Sequence, residues 1–175
     1  MNFKKHIDIF IIDDNKIYAQ TLKGDIETAF HSMPVKVQSF LTGETCIKKL
    51  KIEKPQVVIL DYHLNSKHPD AADGIEVLDW IKKESPETSV IMLTVDDNID
   101  IALKAFHHGA SDYVVKTETQ FRKINYSLLN LFKMLEAKRE ARRYKNLVVG
   151  IFLCVALLVG GVIAIQIIAP SLLKP

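Results

Sequence analysis

Val57-Val58-Ile59-Leu60-Asp61 decides how this chain is read. Four apolar residues run without interruption into a carboxylate. Such a run predicts a strand covered on both faces, as in a parallel sheet. The chain then turns polar at Tyr62-His63-Leu64-Asn65, so Asp61 stands where a buried strand meets its loop. In open α/β sheets, ligands gather at the carboxyl ends of the strands. A loop-capping aspartate is the plainer reading of one such residue. What the other strands bring to that edge decides between the two.

Upstream, Ile7-Asp8-Ile9-Phe10-Ile11-Ile12 predicts a first strand that ends at Asp13-Asp14. Asp14 or Asn15 can cap the next helix, whose Ile17, Leu22, Ile26, Ala29 and Phe30 fall near one face. Pro34 breaks it, and Val35 to Phe40 alternates as a more exposed strand does. Thr42-Gly43-Glu44-Thr45 opens a short helix carrying Ile47 and Leu50. Downstream of Asp61, a polar loop runs to Asp73-Gly74, and Ile75, Val77, Leu78 and Ile81 build a helix that Ser85-Pro86 ends. Val90-Ile91-Met92-Leu93-Thr94 is a further buried strand, ending in a hydroxyl. A helix over 98–108 stops at Gly109, a left-handed C-cap. Asp112-Tyr113-Val114-Val115-Lys116 is the fifth strand, ending in a cation, and a long helix starts near Thr119. Strands alternating with helices predict an α/β fold with a parallel sheet.

Charge is unevenly placed along the 175 residues. Residues 1–135 hold 17 Lys/Arg against 19 Asp/Glu, which leaves no basic excess for gripping nucleic-acid phosphates. Lys138, Arg139, Arg142, Arg143 and Lys145 then form a basic cluster with only Glu136 and Glu140 among them. Cys46 and Cys154 show neither a disulfide framework nor metal-ligand spacing. The N-terminal apolar run is broken by Asp8, so it reads as a strand and not as a signal peptide.

Leu147 to Ala169 carries no charge, and Gln166 is its one strongly polar residue. As a helix it extends roughly 34 Å, enough to cross a hydrocarbon core of about 30 Å. The basic cluster lies before it and Lys174 after it, which places residues 1–146 in the cytoplasm and the C-terminus outside. Ala156, Gly160 and Ala164 make a small-residue face of a kind that packs helices but is frequent by chance.

Four of the five strands deliver polar groups to one edge: Asp13 and Asp14, Asp61, Thr94 and Lys116. Clustered carboxylates repel and call for a cation, and oxygen ligands with spare positions suit Mg²⁺ bound together with phosphate. Asp61, central on the sheet, is the natural nucleophile, and Lys116 with the metal neutralises the transferred group. His63, His68, Asp70 and Asp73 match no zinc spacing and read as a solvated loop. His107 and His108 read as helix C-terminal charges, and Phe121, Ile124, Leu128 and Leu131 as the core face of the last helix.

Asp13-Asp14, Asp61, Thr94 and Tyr113-x-x-Lys116, in this order on these strands, resemble the receiver domain of two-component response regulators. The resemblance covers roughly 6–134. It implies a flavodoxin-like, doubly wound five-stranded sheet in the order 2-1-3-4-5. It further implies that Asp13, Asp14 and Asp61, with the main-chain carbonyl of His63, bind Mg²⁺. Asp61 would accept phosphate from a histidine kinase or phosphotransfer protein, Thr94 would bond the phosphoryl group, and Lys116 would pair with it. Thr94 and Tyr113 would act as the switch toward the face of helix four, strand five and helix five, through which homodimers form in the family. Three positions depart from the family pattern: a longer loop before Gly74, Val95 where a small residue is usual, and Thr117 where proline usually follows the lysine.

The expected organisation is a receiver over 1–134, a basic juxtamembrane helix over 135–146, a transmembrane helix over 147–169 and a short external tail over 170–175. The expected function is a single-pass receiver in a bacterial inner membrane, without a DNA-binding effector. It would be a phosphoacceptor, not an enzyme, though its own residues catalyse gain and loss of the phosphoryl group. A receiver-like scaffold that is not phosphorylated is the alternative. A phosphoaspartate hydrolase of the haloacid dehalogenase type is disfavoured, because His63 stands where that chemistry wants a second carboxylate.

Overall fold

A computed structural model describes residues 6–65 and 72–168, with side chains through 161. Five strands and five helices alternate: β1 (Ile7–Ile12), α1 (Lys16–Ala29), β2 (Val35–Phe40), α2 (Gly43–Glu53), β3 (Val57–Asp61), α3 (Gly74–Glu84), β4 (Ser89–Thr94), α4 (Ile99–His107), β5 (Asp112–Val115) and α5 (Gln120–Ile168). The sheet is parallel throughout, in the order β2-β1-β3-β4-β5. This is the expected flavodoxin-like sheet with a long C-terminal helix. The chain divides into two compact units, Met1–Leu131 and Phe132–Pro175.

Every residue of β3 and β4 is buried, which accounts for their unbroken apolar character. β2, an edge strand, buries only Val37, in line with its alternation. On one face of the sheet, Phe10, Ile12, Val58, Leu60 and Met92 join Cys46 and Leu50 of α2 and Val77, Leu78 and Ile81 of α3 in one core.

Local signals set the helix ends. Asn15 caps α1 by accepting from the Ile17 and Tyr18 amides, so Asn15 and not Asp14 does this work. Thr42 caps α2. Asp73 and Glu76 form a reciprocal capping box on α3, which gives Asp73 a structural task. Gly109 follows α4 with φ +95°, where a side chain would be strained.

Two apolar residues expected on the buried face of α1, Ile17 and Ala29, are exposed. α1 buries Ala19, Leu22 and Ile26, whereas Ile17 is 80% exposed. Ala19 in the same turn is buried, and at 3.6 residues per turn Ile17 stands on the opposite side of the helix from Ala19, Leu22 and Ile26, so it faces away from the sheet. Elsewhere β5 ends at Val115, one residue before Lys116, and His108 donates or accepts through Nδ1 at 2.7 Å from Asp79 Oδ1.

α5 carries two kinds of sequence. Ile124, Leu128 and Leu131 are buried, as their spacing predicts, while from Leu147 to Gly161 every residue is exposed. Among the described residues α5 is the one helix long and apolar enough to cross a membrane. Ala169, the tail 170–175, and His68 and Asp70 lie outside the described residues.

Candidate functional site

Strand register brings the polar ends together. Ile12 pairs with Leu60, so Asp13 lies beside Asp61. Asp61 pairs with Leu93, so Thr94 stands one step further along β4. Thr94 pairs with Val115, and the Lys116 amide donates to the Thr94 carbonyl at 2.7 Å. Side chains that were 103 residues apart in sequence then meet: Lys116 Nζ donates to Asp13 Oδ2 at 2.8 Å. The same ammonium lies 3.0 Å from Asp61 Oδ1. It approaches that oxygen off the direction a hydrogen bond needs, and Asp61 Oδ1 has no hydrogen-bond partner.

Asp13 and Asp61 are almost completely buried, and Asp14 is partly exposed. Ligand oxygens of all three lie within 4.8 Å of one another. Burial pushes the Asp13 carboxyl above the usual carboxylate range, and the Lys116 ammonium only partly offsets it. A divalent cation would remove that penalty. Three carboxylates with an unsatisfied buried oxygen are a hard-oxygen set that fits Mg²⁺, with room left for water and a phosphoryl oxygen. The site opens into a cavity of about 520 Å³ lined by the three aspartates, Lys116, His63 and Tyr18, among others.

Thr94 is fully buried at the end of β4, and its Oγ1 accepts from the Asp96 amide at 3.1 Å. Tyr113 is half-buried against the core, and its hydroxyl donates to the Asp96 carbonyl at 2.8 Å. Burial raises the Tyr113 phenol, so it remains a donor at neutral pH. The two residues expected to form a switch therefore both bind the chain at Asp96. His63 lies at the mouth, its Nε2 2.6 Å from Asp96 Oδ2. Val95, 63% exposed, lines the same rim. With Thr117 after it in place of proline, Lys116 still reaches both carboxylates.

Gly74 sets how closely α3 approaches. A Cβ there would lie 2.5 Å from the Asp61 carbonyl oxygen and 2.7 Å from Tyr62 Cα. Its amide donates to the Tyr62 carbonyl at 3.0 Å, tying the start of α3 to the residue after Asp61.

Sequence reasoning missed Tyr18. Lys116 Nζ sits 4.5 Å from the centre of its ring. The ring stacks on Phe121 at 6.3 Å, and its hydroxyl donates to Gln120 Oε1 at 2.9 Å. A lone tyrosine in the first turn of an amphipathic helix gives no local sign of these contacts. Asn15 has a second task as well: its amide donates to Asp13 Oδ1 at 2.8 Å, which holds that carboxylate from the α1 side.

A five-stranded parallel sheet in this order, with acids and a lysine converging on its carboxyl edge, defines a class. The family model for the response regulator receiver domain matches residues 9–125, and the chain belongs to that family. It is 29% identical over 140 residues to the nitrogen assimilation regulatory protein NtrX of Azorhizobium caulinodans, covering 80% of this chain and 29% of that protein. It is 33% identical over 75 residues to the regulatory protein LuxO of Vibrio cholerae, covering 43% of this chain and 15% of LuxO. The chain thus matches less than a third of the length of these relatives. Among solved structures, the BeF3-activated receiver domain of DrrB, from Thermotoga maritima, superposes with a TM-score of 0.62 at 29% identity, covering 74% of this chain and 99% of that one. NtrX from Brucella abortus gives 0.66 at 25% identity, covering 78% and 30%.

Proposed function

We propose that this receiver accepts a phosphoryl group on Asp61 from a histidine kinase or phosphotransfer protein, and that its apolar helix tethers it to a membrane. The observation that carries the first part is the buried Asp61 Oδ1, which lacks a hydrogen bond and stands beside the Lys116 ammonium at an open cavity. A carboxylate oxygen of Asp61 attacks the phosphorus of a phosphohistidine. The O–P bond forms as the P–N bond breaks, and the electron pair leaves with the imidazole, which takes up a proton. Lys116 supplies positive charge to the oxygens of the transferring group, the main requirement of phosphoryl transfer. Asp13, Asp14, Asp61 and the His63 main-chain carbonyl are the groups that would hold Mg²⁺, which when bound neutralises further charge there.

Thr94 would give up the Asp96 amide to bond the phosphoryl group. Tyr113 binds the same short segment, so the β4–α4 connection is where that exchange would be felt. On α4, Ile99, Leu103 and Phe106 are exposed at helical spacing. This apolar stripe supports partner docking or homodimerisation on the side of α4 and β5. The balanced charge of residues 1–135 speaks against nucleic acid as the partner. The exposed, uncharged run of α5 behind a basic cluster supports the tether, and with that orientation the receiver would stand on the cytoplasmic side of a bacterial inner membrane.

Two measurements test this. Incubation of the full-length chain with acetyl phosphate and MgCl2 should label Asp61, and EDTA should abolish labelling; a chain that takes no label would overturn the phosphoacceptor reading. In cell fractions the protein should resist extraction by high salt and carbonate. Release by salt would leave only an electrostatic attachment and remove the inserted tether.

A further inference from the structure

Lys116 is held on three sides. Two holders are the carboxylates of Asp13 and Asp61. The third is the face of the Tyr18 ring, 4.5 Å from Nζ to the centroid, contributed by α1 and not by the sheet. An ammonium is attracted to an aromatic face, and the attraction strengthens where water is excluded. Here the lysine side chain is only 14% exposed. The ring therefore limits where the ammonium can stand once a phosphoryl group competes for it.

The same ring is fixed from its other end. Its hydroxyl donates to Gln120 Oε1 at 2.9 Å, and its plane lies 21° from that of Phe121. Gln120 and Phe121 are the first two residues of α5. Burial, with the nearby Asp13 and Asp61 charges, pushes the phenol well above its ordinary value, so it stays protonated and stays a donor. Asn125 Nδ2 donates to Asp25 Oδ2 at 2.8 Å, a second tie between α1 and α5 further along both helices. That tie pins the two helices independently, so Tyr18 can report a local change without the whole contact coming apart.

We propose that Tyr18 is a positioning residue that sets the place of the Lys116 ammonium through its ring and transmits displacement of that ammonium to the first turn of α5 through its hydroxyl. The proposal rests on Asp61 as phosphoacceptor for its trigger. When charge arrives on Asp61, Lys116 is drawn toward the phosphoryl oxygens and away from Asp13 Oδ2. The ring follows or loses the ammonium, and either movement changes the load on the Gln120 bond and the Phe121 stack. The two parts of Tyr18 have separable tasks, and this distinguishes positioning from simple support.

The test compares full-length wild type, Tyr18→Phe and Tyr18→Leu. Three readouts are followed: the rate of labelling by acetyl phosphate, half-saturation by Mg²⁺, and amide hydrogen exchange at residues 120–124 with and without label. Tyr18→Phe keeps the ring. It should label within about twofold of wild type, while the label-dependent change in exchange at 120–124 is largely lost. Tyr18→Leu should slow labelling about fivefold or more with unchanged Mg²⁺ half-saturation, and should lose the exchange response too. NMR supplies a readout that needs no phosphoryl group: the Lys116 Cε protons should be shifted upfield by the ring in wild type and Tyr18→Phe but not in Tyr18→Leu. Labelling of Tyr18→Leu at the wild-type rate, or an intact exchange response in Tyr18→Phe, would overturn the proposal and leave Asp61 as acceptor. Equal slowing in both variants with weakened Mg²⁺ binding would show a structural role only and also overturn it. A wild type that takes no label would overturn the acceptor reading and this proposal together, a pattern distinct from the other two.

Discussion

Two stretches of this chain have nearly the same composition and opposite surroundings. Val57 to Leu60 is apolar and completely buried, whereas Leu147 to Val159 is apolar and exposed throughout. The first is a strand with neighbours on both edges, β1 and β4, and its last residue is the carboxylate of the site. The second is helical, satisfies its own backbone, and is exposed along its length. Hydrophobicity alone therefore fixes nothing about location. What decides is whether the fold supplies a partner surface, and the proposed tether gives the second stretch an apolar solvent in its place.

That contrast can be broken or sharpened by substitution. The largest effect expected is at the strand end. Asp61→Asn should reduce Mg²⁺-dependent labelling by acetyl phosphate to background, and equal labelling of the variant would remove Asp61 from the site. Lys116→Ala should come next, slowing labelling about tenfold to a thousandfold, the scale of a lost electrostatic stabiliser. Its Mg²⁺ affinity should hold or rise, since an ammonium beside the metal is gone; a large loss of affinity would contradict the role assigned to it.

The same deletion made in each apolar stretch tests the comparison directly. Ile59→Ala removes a buried side chain from the receiver and should cost about 2–5 kcal/mol in chemical denaturation. Leu157→Ala, at a residue 76% exposed, should leave the receiver's transition unchanged. Comparable losses at both sites would mean that the apolar helix is covered by protein after all.

The smallest effect concerns the acid that the fold buries against its own interest. The folded pKa of Asp13 is raised by burial. Stability from this group is thus present below the unfolded value and declines as pH rises through the folded value. At neutral pH, without Mg²⁺, Asp13→Asn should raise Tm by a few degrees. The gain should fade as the pH drops toward the unfolded value near 4, where wild-type Asp13 is neutral too. Thermal melts across that range measure it, and a destabilised variant at pH 7 would show that the Lys116 bond outweighs burial.

Much of this arrangement could be read from the chain because parallel sheets write themselves locally. Each buried strand is a short apolar run, and each run ends in the group it delivers, so Asp13, Asp61, Thr94 and Lys116 announce their own positions. The rest depends on surfaces that meet only after folding. Ile17 is apolar yet lies on the opposite face of α1 from Ala19, Leu22 and Ile26, and it took the small Ala19 to mark where the buried face begins. Tyr18 meets Gln120 across a separation of 102 residues. His63 meets Asp96 across 33, through two loops whose shapes no pattern of residues prescribes. Val95 and Thr117 were visible as departures, and only the geometry shows that the lysine still reaches both carboxylates past them.

The close seat of Gly74 has a consequence for what this protein can tolerate. Its amide is clamped to Tyr62, and α3 begins under its own capping box, so the two ends of the connection after Asp61 are fixed independently of what lies between them. Lengthening a closed connection costs only about 0.6 kcal/mol per doubling. Evolution, or an engineer, can therefore add residues between Asn65 and Ala72 without disturbing the carboxylates, which makes this loop the natural place to insert a reporter peptide.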